Sequence, residues 1–159
     1  MIQTGQAIPS ATLSELSAAG MQSHGADELF ANKRVVLFSV PGAFTPTCSE
    51  AHLPGYVVLA DKIKAAGVDL IVCVSVNDAF VMQAWGKAQN AAEIMMLGDG
   101  DGSFTKALGL EMDTGGFGGL RSQRYAMIID NGVVTQLNVE APKAFEVSNA
   151  ETILAALEK

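Results

Sequence analysis

The sequence predicts an α/β protein with a central mixed sheet covered on both faces by helices. Two β-branched apolar runs, RVVLFSV at 34–40 and VDLIVCVSV at 68–76, are continuously hydrophobic, as strands buried on both faces are. A helical pattern over Thr47 to Ala66 lies between them, so strand, helix and strand form a right-handed crossover unit. Further on, RYAMIID and VVTQLNVE flank Asn131 and Gly132, a strong two-residue hairpin signal, and a terminal helix follows.

Taken in order, the first thirty or so residues carry the weakest pattern, ending in a short helical turn at ADELFANK, residues 26–33. The helix from Thr47 has apolar positions at Ala51, Val58, Leu59 and Ile63 and a stop at Gly67. Pro54 must kink it, because proline removes a backbone donor and clashes with the carbonyl four residues back. After the second strand, Asn77 or Asp78 can cap a helix running to about Gln89. IMMLGD reads as a short strand and SFTKALGL as a short helix; Ser148 and Glu151 fit a capping box for the last helix. A thioredoxin-like arrangement suits this order.

With 159 residues, no repeat and no polar linker, the chain reads as one domain, 1–159, able to bury roughly 70% of the surface it would expose unfolded. A net charge of −7 would repel a phosphate backbone, which argues against nucleic acid as a partner. The apolar runs are too short to span a bilayer and no basic, then apolar, leader opens the chain, so no membrane role and a cytoplasmic location are expected. Two cysteines cannot build a disulfide scaffold, and two histidines offer no zinc-finger spacing. A reducing compartment is favoured, where a cysteine is more often catalytic than a staple. The DGDG run from Asp99 has Leu110 where a calcium loop needs a bidentate glutamate, and GGFGG from Gly115 lacks the Lys and Ser or Thr of a phosphate loop. The first is a turn, the second a flexible connection approaching the site or a partner subunit.

Chemistry concentrates in PGAFTPTCSEAHLPGY, from Pro41 to Tyr56, where the first buried strand meets the kinked helix. If Thr45 is the cap, Pro46 takes the first helical position and Cys48 the third; if Thr47 is the cap, Glu50 completes a capping box and Cys48 is first. Both registers put Cys48 in the first turn, where unpaired backbone donors and the helix dipole favour a thiolate over a thiol. Such a thiolate needs no metal and no cofactor. His52, four residues on, can share a helix face with Cys48 and act as a base or support the anion, although a packing role is the commoner one. Glu50 suits a cap better than an acid. Thioredoxins carry a CxxC motif at such a junction; here Thr45 stands at the first cysteine position, so no neighbouring thiol resolves Cys48. Cys73, inside LIVCVSV, is better read as a core residue than as a resolving one.

This segment resembles the active-site signature of the peroxiredoxin family, in its peroxiredoxin 5 or type II branch. Similarity continues through VSVNDAFVMQAW, GDGSFTKALGL and RSQRYAMIIDNGVV, covering most of the chain. The resemblance implies that Cys48 is the peroxidatic cysteine, which attacks peroxide and becomes a sulfenic acid. It makes Thr45 the hydroxyl that hydrogen-bonds peroxide, Pro41 a shield over the sulfur, and Arg124 the guanidinium that holds thiolate and substrate together. Arg121 does not occupy the matching position. Hydrogen peroxide and small alkyl hydroperoxides are the implied substrates. Some members of the branch resolve the sulfenic acid with a cysteine near the C-terminus, but KAFEVSNAE contains none, so an external thiol, glutathione or glutaredoxin or else thioredoxin, is the implied reductant. The family also implies a homodimer, to which Phe44 and Phe80 can contribute apolar contacts. Two other readings of one cysteine at such a junction are a monothiol transferase acting on glutathione mixed disulfides and a redox-responsive binding module; Thr45 and Arg124 favour peroxide.

Overall fold

In the computed structural model, which describes all 159 residues, the chain opens with a hairpin of β1 (Thr12–Ser17) and β2 (Gly20–Gly25), followed by the one-turn helix α1 (Ala26–Leu29). The first apolar run forms β3 (Arg34–Ser39), and a loop leads into a helical segment that begins as a π turn at Cys48–His52 and continues as α2 (Leu53–Ala65). Next come β4 (Leu70–Ser75), α3 (Ala79–Ala88), β5 (Met95–Gly98) and α4 (Ser103–Leu108). A small two-stranded ribbon, β6 (Glu111–Asp113) with β7 (Leu120–Ser122), precedes β8 (Tyr125–Asp130), β9 (Val133–Val139) and α5 (Ala150–Leu157).

The main sheet has seven strands in the order β2-β1-β5-β4-β3-β8-β9. Its centre, β3, β4 and β5, is parallel, and the flanking pairs are antiparallel, giving the mixed sheet expected. Because side chains alternate across a strand, each central strand feeds two cores. Val36, Phe38, Ile71, Cys73, Ala126 and Ile128 face α2, α3 and α5, whereas Val35, Leu37, Val72, Val74, Met127 and Ile129 face α1 and α4. All twelve are buried, which explains why these runs carry no polar residue at every second position. No helix is long and apolar enough to cross a membrane.

Three local expectations meet a different structure, and one element carries no sequence signal. The hairpin β1–β2 is absent from the sequence reading because it lies at the sheet edge and buries only Leu13 fully, so no apolar alternation marks it. The terminal helix is capped by Asn149, whose side chain accepts from the Thr152 N–H (2.8 Å), and not by Ser148, whose hydroxyl donates to Glu140 (2.7 Å). The GGFGG run is no loose connection: Thr114 N–H and hydroxyl both donate to Gly119 O (2.8 and 2.7 Å), closing the β6–β7 hairpin. The Pro54 kink takes the form of the π turn, in which Leu53 N–H donates to Cys48 O and the extra residue relieves the clash proline would make in a regular helix.

Other local signals lead where they point. Asp78 caps α3 by accepting from Val81 N–H (2.9 Å). Asn131 and Gly132 both have positive φ (49° and 77°), the geometry of a tight hairpin turn whose hand matches the twist of the flanking strands. Asp99 accepts from the Phe104 and Thr105 N–H groups (3.1 and 2.8 Å) and the Thr105 hydroxyl (2.6 Å), so the DGDG turn ties β5 to α4.

Candidate active site

The loop from Val40 to Thr47 is pinned from β4 and its following turn. Ser75 hydroxyl donates to Val40 O (3.0 Å), and Asn77 Oδ1 accepts from Ala43 N–H (3.0 Å). Phe44 is exposed and sits in the left-handed region at φ 64°, a conformation that costs a non-glycine residue about 1 kcal/mol or more. Ser49 N–H donates to Thr45 O (2.9 Å), so the helical path opens at Thr45 with Pro46 in its first position, the first of the two registers the sequence allows. Neither threonine hydroxyl caps the backbone. Thr47 and Glu50 are exposed and make no side-chain hydrogen bond, so the capping box does not form and Glu50 takes no part in the site.

Thr45 instead turns its hydroxyl inward, 2.9 Å from Cys48 Sγ and 2.6 Å from Gly42 O. A hydroxyl has one proton to donate, so it serves the sulfur when the sulfur is an anion and the carbonyl when it is a thiol. From the strand side, Arg124 Nη2 donates to the same sulfur (3.2 Å). Arg124 stands immediately before β8, whose Tyr125 pairs with Ser39, and this register carries the guanidinium across the end of β3 to the helix start. Arg121, its neighbour in sequence, is used elsewhere: Nη1 donates to Val76 O and Nε to Gly118 O (both 3.0 Å). None of the three ion pairs in the chain involves Arg124, so its charge is left for the sulfur and whatever approaches it.

Arg124 is held from behind by His52. Its Nη1 donates to His52 Nδ1 (2.8 Å), and His52 Nε2 donates to Ser148 O (3.0 Å), which fixes the neutral imidazole with its proton on Nε2. Burial and the Arg124 charge lower the His52 pKa to about 3, so it is neither a base for Cys48 nor a cation beside it. Tyr56 hydroxyl donates to the same carbonyl (2.8 Å), and burial pushes its pKa up, keeping it protonated. Phe38 stacks on Tyr56 at 3.9 Å between centroids, and Phe145 packs on His52 (5.0 Å) under the Arg124 guanidinium (5.8 Å).

Cys48 sits at the helix start, as the sequence places it, and its side chain is fully buried in this conformation. A cleft of about 720 Å³ opens beside it, lined by Pro41, Thr47, Met112, Gln123, Arg124 and Pro142 among others. Cys73 is also fully buried, on the central strand between Phe38 and Met96. Burial and the nearby Cys48 push its thiol pKa up, which suits a core residue. Both cysteines are free. The site residues that sequence reasoning missed are Glu140, Phe145 and the Ser148 carbonyl. Phe145 and the Ser148 carbonyl lie more than ninety residues from His52 and Tyr56 in sequence, and Glu140 reaches the site only through Ser148, so no local spacing signals them.

The buried neutral His52 makes stability depend on pH. Between its ordinary value of 6.5 and its folded value of about 3, the unfolded chain binds a proton that the folded chain does not, so stability is expected to fall as pH drops below 6.5. The slope from this one group approaches about 1.4 kcal/mol per pH unit. Glu140 adds to the loss at still lower pH: burial alone would raise its pKa, but hydrogen bonds from Glu146, Ser148 and Val147 outweigh that and hold it below 4.5. Melting temperatures from pH 7 to pH 4 check this. A His52→Phe variant should show a flatter profile, and equal slopes would contradict the assignment.

The Redoxin family model matches residues 3–154. Reduced Prx3 of Vibrio vulnificus in complex with H2O2 is 79% identical, superimposes with a TM-score of 0.98 and shares 99% of each chain. Peroxiredoxin 5 of Alvinella pompejana is 36% identical over 99% of both chains with a TM-score of 0.88, and Peroxiredoxin-2D of Arabidopsis thaliana is 46% identical over 98% of both. Fold and relatives define a thioredoxin-like, thiol-dependent peroxidase. The chain belongs to the peroxiredoxin family, in its type II or peroxiredoxin 5 branch.

Proposed function

We propose that the chain reduces hydrogen peroxide and small alkyl hydroperoxides at Cys48, passing through a sulfenic acid that an external thiol such as glutathione or glutaredoxin removes. The observation that carries this is the convergence of Thr45 and Arg124 on one sulfur at a helix start. The Cys48 thiolate attacks the nearer peroxide oxygen in line with the O–O bond. A new S–O bond forms, the O–O bond breaks, and the electron pair leaves with the far oxygen, which takes a proton to become water or an alcohol. Negative charge moves from sulfur to the departing oxygen. Donors already aimed at the sulfur, Arg124 Nη2 and the Thr45 hydroxyl, can follow it without reorganisation, and that preorganisation lowers the barrier. Pro41 at the cleft shields the sulfur from bulk water.

Regeneration consumes two thiols. The first displaces hydroxide from the sulfenic acid, which leaves as water and creates a mixed disulfide; the second releases the Cys48 thiolate and yields the oxidised thiol pair. Cys73 has no part in this sequence because it is sealed in the sheet. The structural relative from Vibrio vulnificus holds H2O2, which supports the substrate assignment. The free cysteines suit a reducing compartment such as the cytoplasm. Phe44 and Phe80, 56% and 64% exposed, support a homodimer that uses this end of the molecule.

Native mass spectrometry after one equivalent of peroxide tests both proposals at once. The expected species is a dimer carrying one added oxygen per chain, localised to Cys48 by digestion. Oxygen elsewhere, or a Cys48 to Cys73 disulfide, would refute the cycle, and a monomer would refute the assembly.

A further inference from the structure

Glu140, the residue after β9, is a nearly buried carboxylate, 8% exposed, without a lysine, arginine or histidine partner. It is satisfied entirely by the chain that follows it. Its two oxygens accept from the N–H groups of Glu146 (2.9 Å to each), Val147 (2.9 Å) and Ser148 (2.8 Å) and from the Ser148 hydroxyl (2.7 Å). Successive N–H groups aimed at one anion make a cradle that holds the segment 141–148 as a closed loop. The fixed end of that loop is the Ser148 carbonyl, on which His52 depends for its tautomer, and the loop also carries Phe145, which packs on His52 and under Arg124.

We propose that Glu140 is a positioning residue for the peroxidase reaction: by clamping Ser148 it sets the His52 tautomer, and His52 in turn holds Arg124 on the Cys48 sulfur. The inference rests on the peroxidase reading of Cys48. The connections run in one direction without a gap. Glu140 binds Ser148, the Ser148 carbonyl accepts from His52 Nε2, His52 Nδ1 accepts from Arg124 Nη1, and Arg124 Nη2 reaches the sulfur. If Ser148 O moved away, His52 would lose the acceptor that keeps its proton on Nε2. A proton on Nδ1 would face the Arg124 N–H, and two donors cannot share a hydrogen bond. The guanidinium would then swing off its line to Cys48. Glutamate is required because every partner is a donor. An amide at the same place would turn its own NH2 toward the Glu146, Val147 or Ser148 N–H groups.

The test is a double-mutant cycle on the full-length protein, read as the second-order rate of Cys48 oxidation by hydrogen peroxide, with the His52 tautomer followed by ring nitrogen-15 NMR. Glu140→Gln is expected to slow oxidation about tenfold, the scale on which small misplacements of a catalytic group act. It should also convert the single Nε2-protonated signal of His52 into a mixture. Ser148→Ala, which removes only the hydroxyl contact, should show a smaller change in the same direction and covers the case in which Glu140→Gln does not fold. In a His52→Phe background the connection is already cut, so Glu140→Gln should slow oxidation no further. An equal loss in both backgrounds, or an unchanged tautomer and rate in folded Glu140→Gln and Ser148→Ala, would overturn the proposal and leave Glu140 a structural clamp. A wild type that does not consume peroxide would defeat the reading of Cys48 instead, so the two failures are separable.

Discussion

Cys48→Ser is expected to lower the second-order rate of peroxide reduction by about four orders of magnitude or more, because the variant keeps every donor and loses the nucleophile. Serine is nearly the same size, and the site is fully buried in a well-packed core, so the fold should survive the exchange. What changes is chemistry. A hydroxyl at the helix start stays protonated at neutral pH, and its oxygen is far less polarisable toward a peroxide O–O bond. Stopped-flow fluorescence provides the measurement. Trp85 is the single tryptophan of the chain, and its indole N–H donates to Ser49 Oγ (3.0 Å), one residue from the sulfur. Oxidation of Cys48 should therefore change Trp85 emission in the wild type and leave it constant in the variant. A Cys48→Ser protein that consumes peroxide at the wild-type rate would remove the mechanism outright.

Arg124→Lys carries the second largest expected loss, about 10²-fold in kcat/KM, or roughly 3 kcal/mol of transition-state stabilisation. Charge is preserved, so a loss of that size measures geometry. Arginine occupies two partners at once, His52 through Nη1 and Cys48 through Nη2, while a lysine ammonium is a point donor on a flexible stem and cannot bridge them in one plane. Arg124→Met, which removes the charge as well, should lose more, about 10³-fold. The pair separates the two contributions. If lysine restored most of the wild-type rate, electrostatics alone would account for the residue, and the orientation set by His52 would be irrelevant to turnover.

These two variants bracket how the site is built. Cys48 and Thr45 come from one helix start, three residues apart, and their meeting follows from local backbone geometry. Arg124 arrives from 76 residues away, carried by the antiparallel register of β8 on β3. Its preference over Arg121 is decided by the β6–β7 ribbon, where Arg121 is spent on the carbonyls of Val76 and Gly118. Sequence similarity singles out Arg124 of the two; only the contacts say why the other arginine is unavailable.

The sequence by itself determined the two buried central strands and the helix between them, the helix start that presents Cys48, the hairpin at Asn131-Gly132 and the interior position of Cys73. All of these rest on periodicity and turn chemistry, which act over a few residues and are written in consecutive letters. Tertiary structure alone decided that Pro54 is accommodated by a π turn, that Cys48 is covered, and that His52 is a neutral link between Arg124 and the Ser148 carbonyl. It also decided that Glu140 is a clamp and that Ser148 serves it instead of capping a helix. The physical reason is common to these cases. A buried polar group must find a partner wherever the fold places one, and the partner's identity depends on which distant segments the sheet and helices bring within about 3 Å, a condition no local pattern records.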